Sequence, residues 1–217
     1  MNMPFQPQPS LTVRSFAEMI HMPAYEQMRI LAEQKYPADD PARHRVPYYC
    51  EAKAAIRRFY RQDNNPLVVG DVQRHLQARG KTASRARAGH NSRVLEAFLE
   101  SPEAHRRLEV RSFGTRKRSL HGVDLRLTFD LVADEKGKVK FKYYNMRVDE
   151  MDEELIRSTL ELSSHLMAAE QIPHRFCDLE YFDFESGRLY RWSRPRKRTL
   201  QRAAKNADLV KTLWPTL

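Results

Sequence analysis

The chain has 217 residues, 41% hydrophobic and 30% charged, with 38 Lys and Arg against 28 Asp and Glu for a formal charge of +10. That length can bury a substantial core, and one domain with an appendage is the expected organisation. No apolar run approaches the ~18 residues of a membrane span. The two cysteines, Cys50 and Cys177, have no CxxC spacing, so neither a disulfide framework nor a zinc site follows and a reducing, cytoplasmic setting fits. The positive balance favours a polyanionic partner, because each Lys or Arg that neutralises a phosphate releases a counterion.

The N-terminus, MNMPFQPQPS, lacks the charged-then-apolar signature of a signal peptide and reads as a flexible arm over residues 1–10. Residues 10–35 read as two short helices meeting at Pro23, with Ser15 as a cap and Phe16, Met19, Ile20, Met28 and Leu31 at helical spacing. Residues 35–47 hold three prolines and read as a loop. From Tyr48, an amphipathic helix places Tyr48, Tyr49, Ala52, Ala55, Ile56, Phe59 and Tyr60 on one face. Glu51, Lys53, Arg57, Arg58 and Arg61 take the other. A short helix follows Pro66, burying Val68, Val69, Val72 and Leu76. The stretch KTASRARAGHNSR is either a disordered basic loop or the solvated start of the next helix. Asn91 or Ser92 is the expected cap of that helix, which carries Val94, Leu95, Phe98 and Leu99. Ser101-Pro102 closes it and opens a further helical turn, with Ser101 as cap and Pro102 at the first helical position.

Two clusters hold most of the net charge. Between Val72 and Arg118 lie twelve Lys/Arg and four Glu, and Arg188 to Ala207 holds eight Lys/Arg and no acid. Runs of this kind are commonly solvated faces, yet two separate ones favour nucleic-acid contact. The candidate phosphate-binding residues are Arg85, Arg87, Arg93, Arg116, Lys117 and Arg118, with Arg194, Arg196, Lys197 and Arg198 in the second cluster. Between the clusters, DEMDEE at 149–154 sits where a helix begins, which the helix dipole explains without a metal. A second hairpin is expected from Cys177 to Trp192, turning at Glu185-Ser186-Gly187. A basic helix ending near Trp214-Pro215 completes the chain.

Leu120 to Asn145 reads as a central β-hairpin. Alternation sends Val123, Leu125, Leu127, Phe129 and Leu131 to a core face and Asp124, Arg126, Thr128 and Asp130 to a polar one. After a turn at Asp134–Gly137, Val139, Phe141 and Tyr143 share the apolar face, while Lys140, Lys142 and Tyr144 share the other. Asp130 and Lys142 then look out on the same side. Such a pair is either a cross-strand ion pair or the acid and lysine that a metal-dependent phosphodiesterase sets beside a scissile phosphate.

Several residues follow one another in a suggestive order. A helix carries Gly89, then Arg93 four residues on, then Leu95-Glu96. Glu109 is an acid in a strand, and Phe129-Asp130 precedes Leu131-Val132. Gly137 lies in a turn, and the next strand offers Lys140-Phe141-Lys142 or Lys142-Tyr143-Tyr144. Glu161 and His165 are four apart on a helix, and DLEYFDFESGRLYRW ends the series. In this order the span from Gly89 to Trp192 resembles the RecB-like branch of the PD-(D/E)xK nuclease superfamily, which includes CRISPR-associated exonucleases. The family has histidine where Arg93 stands, acid-x-lysine where this chain offers lysine, and Gln and Tyr where Glu161 and His165 stand.

The resemblance implies an α+β fold. A helical region at 11–88 would precede a restriction-endonuclease-like core at 89–193, with a small mixed sheet flanked by helices, and a basic tail would occupy 194–217. It implies Asp130, Lys142 and Glu109 as catalytic residues, and Asp130 with Glu109 (or Glu96) as ligands of Mg²⁺ or Mn²⁺. A lysine where the family has its second acid would repel that metal. The leading expectation is therefore a DNA- or RNA-binding protein on a degenerate, inactive nuclease fold, in the phage-defence or mobile-element setting the resemblance suggests. The alternatives are an active Mg²⁺- or Mn²⁺-dependent nuclease with a displaced acid, and a non-enzymatic subunit meeting an acidic protein partner.

Overall fold

A computed structural model describes residues 8–36, 48–78, 82–149 and 151–217. Residues 1–7 of the expected arm, most of the proline-rich loop (37–47), and residues 79–81, the last of which opens the basic stretch, lie outside the described residues. The chain opens with β1 (Ser10–Thr12), α1 (Val13–Met19), α2 (Ala24–Lys35), α3 (Cys50–Arg61), α4 (Pro66–Ala78) and α5 (Thr82–Glu100). Five strands follow: β2 (Glu109–Val110), β3 (Arg116–Leu120), β4 (Val123–Leu127), β5 (Leu131–Glu135) and β6 (Lys138–Asn145). The chain closes with α6 (Glu153–Ala169), β7 (Leu179–Asp183), β8 (Arg188–Tyr190) and α7 (Lys197–Leu213). The fold is α+β. A mixed five-stranded sheet runs β2-β5-β6-β7-β8, and a three-stranded sheet runs β1-β4-β3. In the larger sheet only β6 and β7 are parallel, and α6 makes the crossover between them.

Strand alternation in the larger sheet feeds two cores. Val132, Phe141, Tyr143, Leu179 and Tyr181 face one of them, which α1, α6, α7 and the three-stranded sheet complete. Leu131, Ala133, Tyr144 and Phe182 face the other, built from α3, α4 and α5. The amphipathic pattern of α3 is realised from Ala52 on, with Ala52, Ala55, Ile56, Phe59 and Tyr60 buried, whereas Tyr48 and Tyr49 precede the helix and Tyr48 is exposed. The first turn of α3 is capped from outside, since Asn91 Oδ1 accepts the Ala52 N–H at 2.9 Å and Asn91 Nδ2 donates to the Tyr48 carbonyl. Asp152 caps α6 through the Glu154 N–H.

The structure changes several expectations. Residues 10–12 pair as a parallel strand with β4 instead of starting a helix, and Thr12, not Ser15, caps α1. The basic stretch from Thr82 is helical, so Asn91 is interior to α5, and that helix runs through the boundary expected at 88/89. Pro102 to Arg106 form turns, not a helix.

The largest change is in the central hairpin. Its first strand is two strands in two sheets, broken at Thr128–Asp130. Val123, Leu125, Leu127 and Phe129 enter one core, but Leu131 enters the other, because the break shifts the alternation by one residue. Two hairpins result, closed at His121-Gly122 and Lys136-Gly137. All four turn residues have positive φ, as two-residue type I′ turns require. Nor does the Lys140–Lys142–Tyr144 face look out: it is buried beneath α3, α5 and the turn after α5.

Candidate functional site

Asp130 sits at the break between the two sheets, and everything near it converges on its carboxylate. Lys53 Nζ from α3 lies 2.6 Å from Oδ1, and Arg14 Nη2 from α1 lies 2.6 Å from Oδ2. The Tyr144 N–H of β6 donates to Oδ2 at 2.9 Å, so a side chain substitutes for a strand carbonyl. The carbonyls freed by the break are also claimed, since Arg57 Nε donates to the Asp130 oxygen at 2.8 Å and its Nη2 to the Phe129 oxygen at 3.3 Å. The Arg14 guanidinium lies 5.0 Å from the Tyr143 ring centre and 5.4 Å from that of Tyr181, within cation–π range. Burial works to raise the Asp130 pKa, but Arg14 and Lys53 overcome it and hold the group at about 2. Asp130 thus ties α1, α3, β5 and β6 together as a carboxylate.

Lys142 and Glu109 do not join it. Lys142 stands opposite Glu180 on β7. It is 0% exposed, 2.6 Å from Glu180 and 2.8 Å from Glu103. Arg106 extends this network to Glu180 and Glu135, each at 2.6 Å, and Tyr144 donates to Glu103 at 3.0 Å. Lys140 bonds Asp178 at 3.1 Å. Burial would raise the Glu180 pKa, yet Lys142 and Arg106 bring it to about 2. Burial and the Glu103 charge push the Tyr60 and Tyr144 hydroxyls well above their usual range. Glu109 is exposed on β2 opposite Asp134, four residues or about 13 Å along the sheet from Asp130.

The donor set does not fit the magnesium-type metal that the resemblance implies. Such an ion needs several free oxygens in a near-octahedral shell. Both oxygens of Asp130 are bonded to cations, and Arg14, Lys53 and Arg57 surround a single carboxylate. Among the described residues no group of three or more His, Cys, Asp and Glu is placed to hold a metal. Glu96 is exposed and accepts a hydrogen bond from Ser92 Oγ at 3.4 Å.

The ten basic candidates divide into two groups. Arg87 is bonded to Glu51, Arg93 to Glu185, Arg118 to Glu170, Arg196 to Glu154 and Arg198 to Glu154. Arg85, Arg116, Lys117, Arg194 and Lys197 are exposed. None of these five has an ion pair with a described residue.

The outer face of the three-stranded sheet gathers part of the second group. There Thr12, Arg126 and Lys117 form one cross-strand row, and Ser10, Asp124 and Ser119 the next. Lys117 and Arg126 are directly opposite each other and both exposed. Like charges in that position repel. The nearest acid in the rows, Asp124, is held by Gln8 at 2.7 Å. The face therefore offers small hydroxyls and two unneutralised cations, with no large apolar side chain.

The sequence reading did not single out Arg14, Lys53, Arg57 or Arg126. For Lys53 and Arg57 the signal was their i,i+4 spacing on one stripe of α3. For Arg126 it was a basic residue alternating with leucines beside the RKR run. No protein-family model, curated protein or solved structure matches this chain. No helix among the described residues is long and apolar enough to cross a membrane.

Proposed function

We propose that this chain binds DNA or RNA through the phosphate backbone, on a nuclease-like fold that does not cleave. The observation that carries the reading is the Lys117–Arg126 pair. Two cations placed directly opposite on an exposed sheet face, with no acid between them, are costly alone and useful to a polyanion. Arg116 beside them and the exposed Arg85, Arg194 and Lys197 add to the positive field. Apart from the β3–β4 hairpin inserted between β2 and β5, the order α5, β2, β5, β6, α6, β7, β8 follows that of the resemblance and supports the nuclease-like description.

The cage around Asp130 separates binding from cleavage. Where a metal-dependent nuclease needs free carboxylate oxygens, this chain has guanidinium and ammonium groups. Two free thiols, Cys50 and Cys177, suit a reducing compartment such as the cytoplasm.

The test uses one protein preparation and labelled single- and double-stranded oligonucleotides. Retarded mobility at low salt, with intact substrate after long incubation in Mg²⁺ or Mn²⁺, is the expected result. No binding at any salt refutes the reading. Metal-dependent cleavage that disappears in Asp130→Ala would replace it with the active-nuclease alternative.

A further inference from the structure

A recess of about 400 Å³ opens between the turn joining α1 to α2, the start of α6 and one side of α7. It lies apart from the Asp130 cage and from the face carrying Lys117. One wall is a stripe of α7 bearing Arg198, Arg202 and Lys205. Their spacing of four and three residues puts them side by side on the helix, where like charges repel. Arg198 is bonded to Glu154 at 3.0 Å, the only carboxylate lining the recess. Neighbouring Arg196, outside the lining, also meets Glu154 and lies 3.5 Å from Glu161. Arg202 and Lys205 are exposed and have no ion pair with a described residue. Counting His21 as neutral, the lining carries two positive charges more than it neutralises.

The rest of the lining, including Ser158 from α6, Thr199 from α7 and His21 from the turn after α1, is polar. Ser158 and Thr199 are 3% and 4% exposed, and Ser158 Oγ lies 2.9 Å from His21 Nε2. Burial and the nearby Arg202 hold the His21 imidazole below its usual pKa, with Asp152 and Glu154 pulling the other way. The recess is at the small end of ligand sites, too small for a duplex and suited to one phosphate with the nucleoside attached.

We infer that this recess binds a phosphate monoester, carried by a nucleic-acid strand end or by a nucleotide. A monoester brings close to two negative charges near neutral pH, which matches the excess on the wall. A backbone diester brings one charge and leaves the site at both sides. The inference leans on the proposed nucleic-acid reading only for the source of the phosphate, not for the site.

The experiment uses the full chain in two arms. In the first, single-stranded oligonucleotides of one sequence, ending in 5′-phosphate, 3′-phosphate or only hydroxyls, are titrated by fluorescence anisotropy. In the second, adenosine 5′-monophosphate and adenosine are titrated while the His21 ring is followed by NMR. Binding of a phosphorylated oligonucleotide roughly tenfold tighter than its hydroxyl twin, as one or two charge-assisted hydrogen bonds allow, supports the site and names the strand end as source. A rise of the His21 pKa with the nucleotide but not with adenosine, without an end preference, supports the site with a nucleotide as source. Arg202→Gln with Lys205→Gln should erase either response while the melting temperature holds. Equal affinities for all three oligonucleotides together with an unmoved His21 overturn the inference. Failure of every oligonucleotide to bind while His21 still answers the nucleotide removes the proposed function and leaves the recess standing.

Discussion

Lys142 is 0% exposed, with Glu180 and Glu103 standing 2.6 and 2.8 Å away. Removing the cation leaves buried Glu180 and Glu103 to Arg106, 2.6 and 3.2 Å away, and to Lys140, 3.7 Å from Glu180; losing one partner from such a network costs up to about 3–5 kcal/mol. Lys142→Met should therefore lower stability by that order at pH 7, read as a fall in the urea midpoint. The gap to the wild type should narrow at pH 4, because protonation relieves the stranded acids. A gap that stays constant with pH would mean that the network is not electrostatically coupled. The wild type carries a related signature. Asp130 and Glu180 are both held at about 2 in the folded chain, below the ordinary carboxylate range. A depressed folded pKa contributes stability that is complete above the unfolded value and is lost as pH falls through the folded one. The contribution of these two carboxylates to the urea midpoint should thus be level above about pH 5 and decline between roughly 4.5 and 2. A midpoint unchanged at pH 3 would contradict the cage around Asp130.

The two β-hairpins, β3–β4 and β5–β6, depend on glycine at the second turn position. Gly122 has φ +88°, and an added Cβ would lie 3.1 Å from Lys211 Cδ, a flexible chain able to yield. Gly137 has φ +76° and open space around it. Alanine at either should cost about 1 kcal/mol or more for the left-handed backbone alone. Gly114 has open space and no positive φ, so Gly114→Ala should be neutral or slightly stabilising in the same thermal melts. Equal effects at all three positions would refute the turn assignment. The second of these turns was legible in the sequence as Asp134–Gly137, while His121-Gly122 passed unread because RKRSL before it looks like a charge run, not a strand. Helices α3, α6 and α7 and the β7–β8 hairpin were legible because their apolar periodicity is local. The break at Thr128–Asp130 was not: apolar residues alternate without interruption from Val123 to Leu131, and no Gly or Pro marks the change of sheet. Burial of Lys140 and Lys142 was equally hidden, since their partners Asp178, Glu180 and Glu103 lie 38 or 39 residues away. The same holds for the candidate site. Asp130 stood out in the sequence, but Arg14, 116 residues earlier, gave no local sign of pairing with it.

Across the whole molecule a charge of +10 is distributed unevenly in kind as well as in place. Much of it is already used internally, as in the bonds of Arg106, Arg87 and Arg196 to acids, so net charge overstates what a polyanion can meet. What remains available is the set without carboxylate partners, and within it Lys117 and Arg126 stand directly opposite each other on an exposed face. Cross-strand repulsion of this type costs a few tenths to about 1 kcal/mol, so neutralising both should leave the chain as stable or slightly more so. Nucleic-acid affinity should move the other way. Each phosphate contact contributes close to 0.9 to the slope of log K against log salt on duplex DNA, and about 0.7 on single strands. Lys117→Ser combined with Arg126→Ser should therefore flatten that slope by roughly 1.4–1.8 and weaken binding most at low salt. Melting temperature and salt slope measured on the same double variant distinguish the two roles. A face that serves only folding would change stability and leave the slope alone. A face that serves binding loses slope while the fold holds.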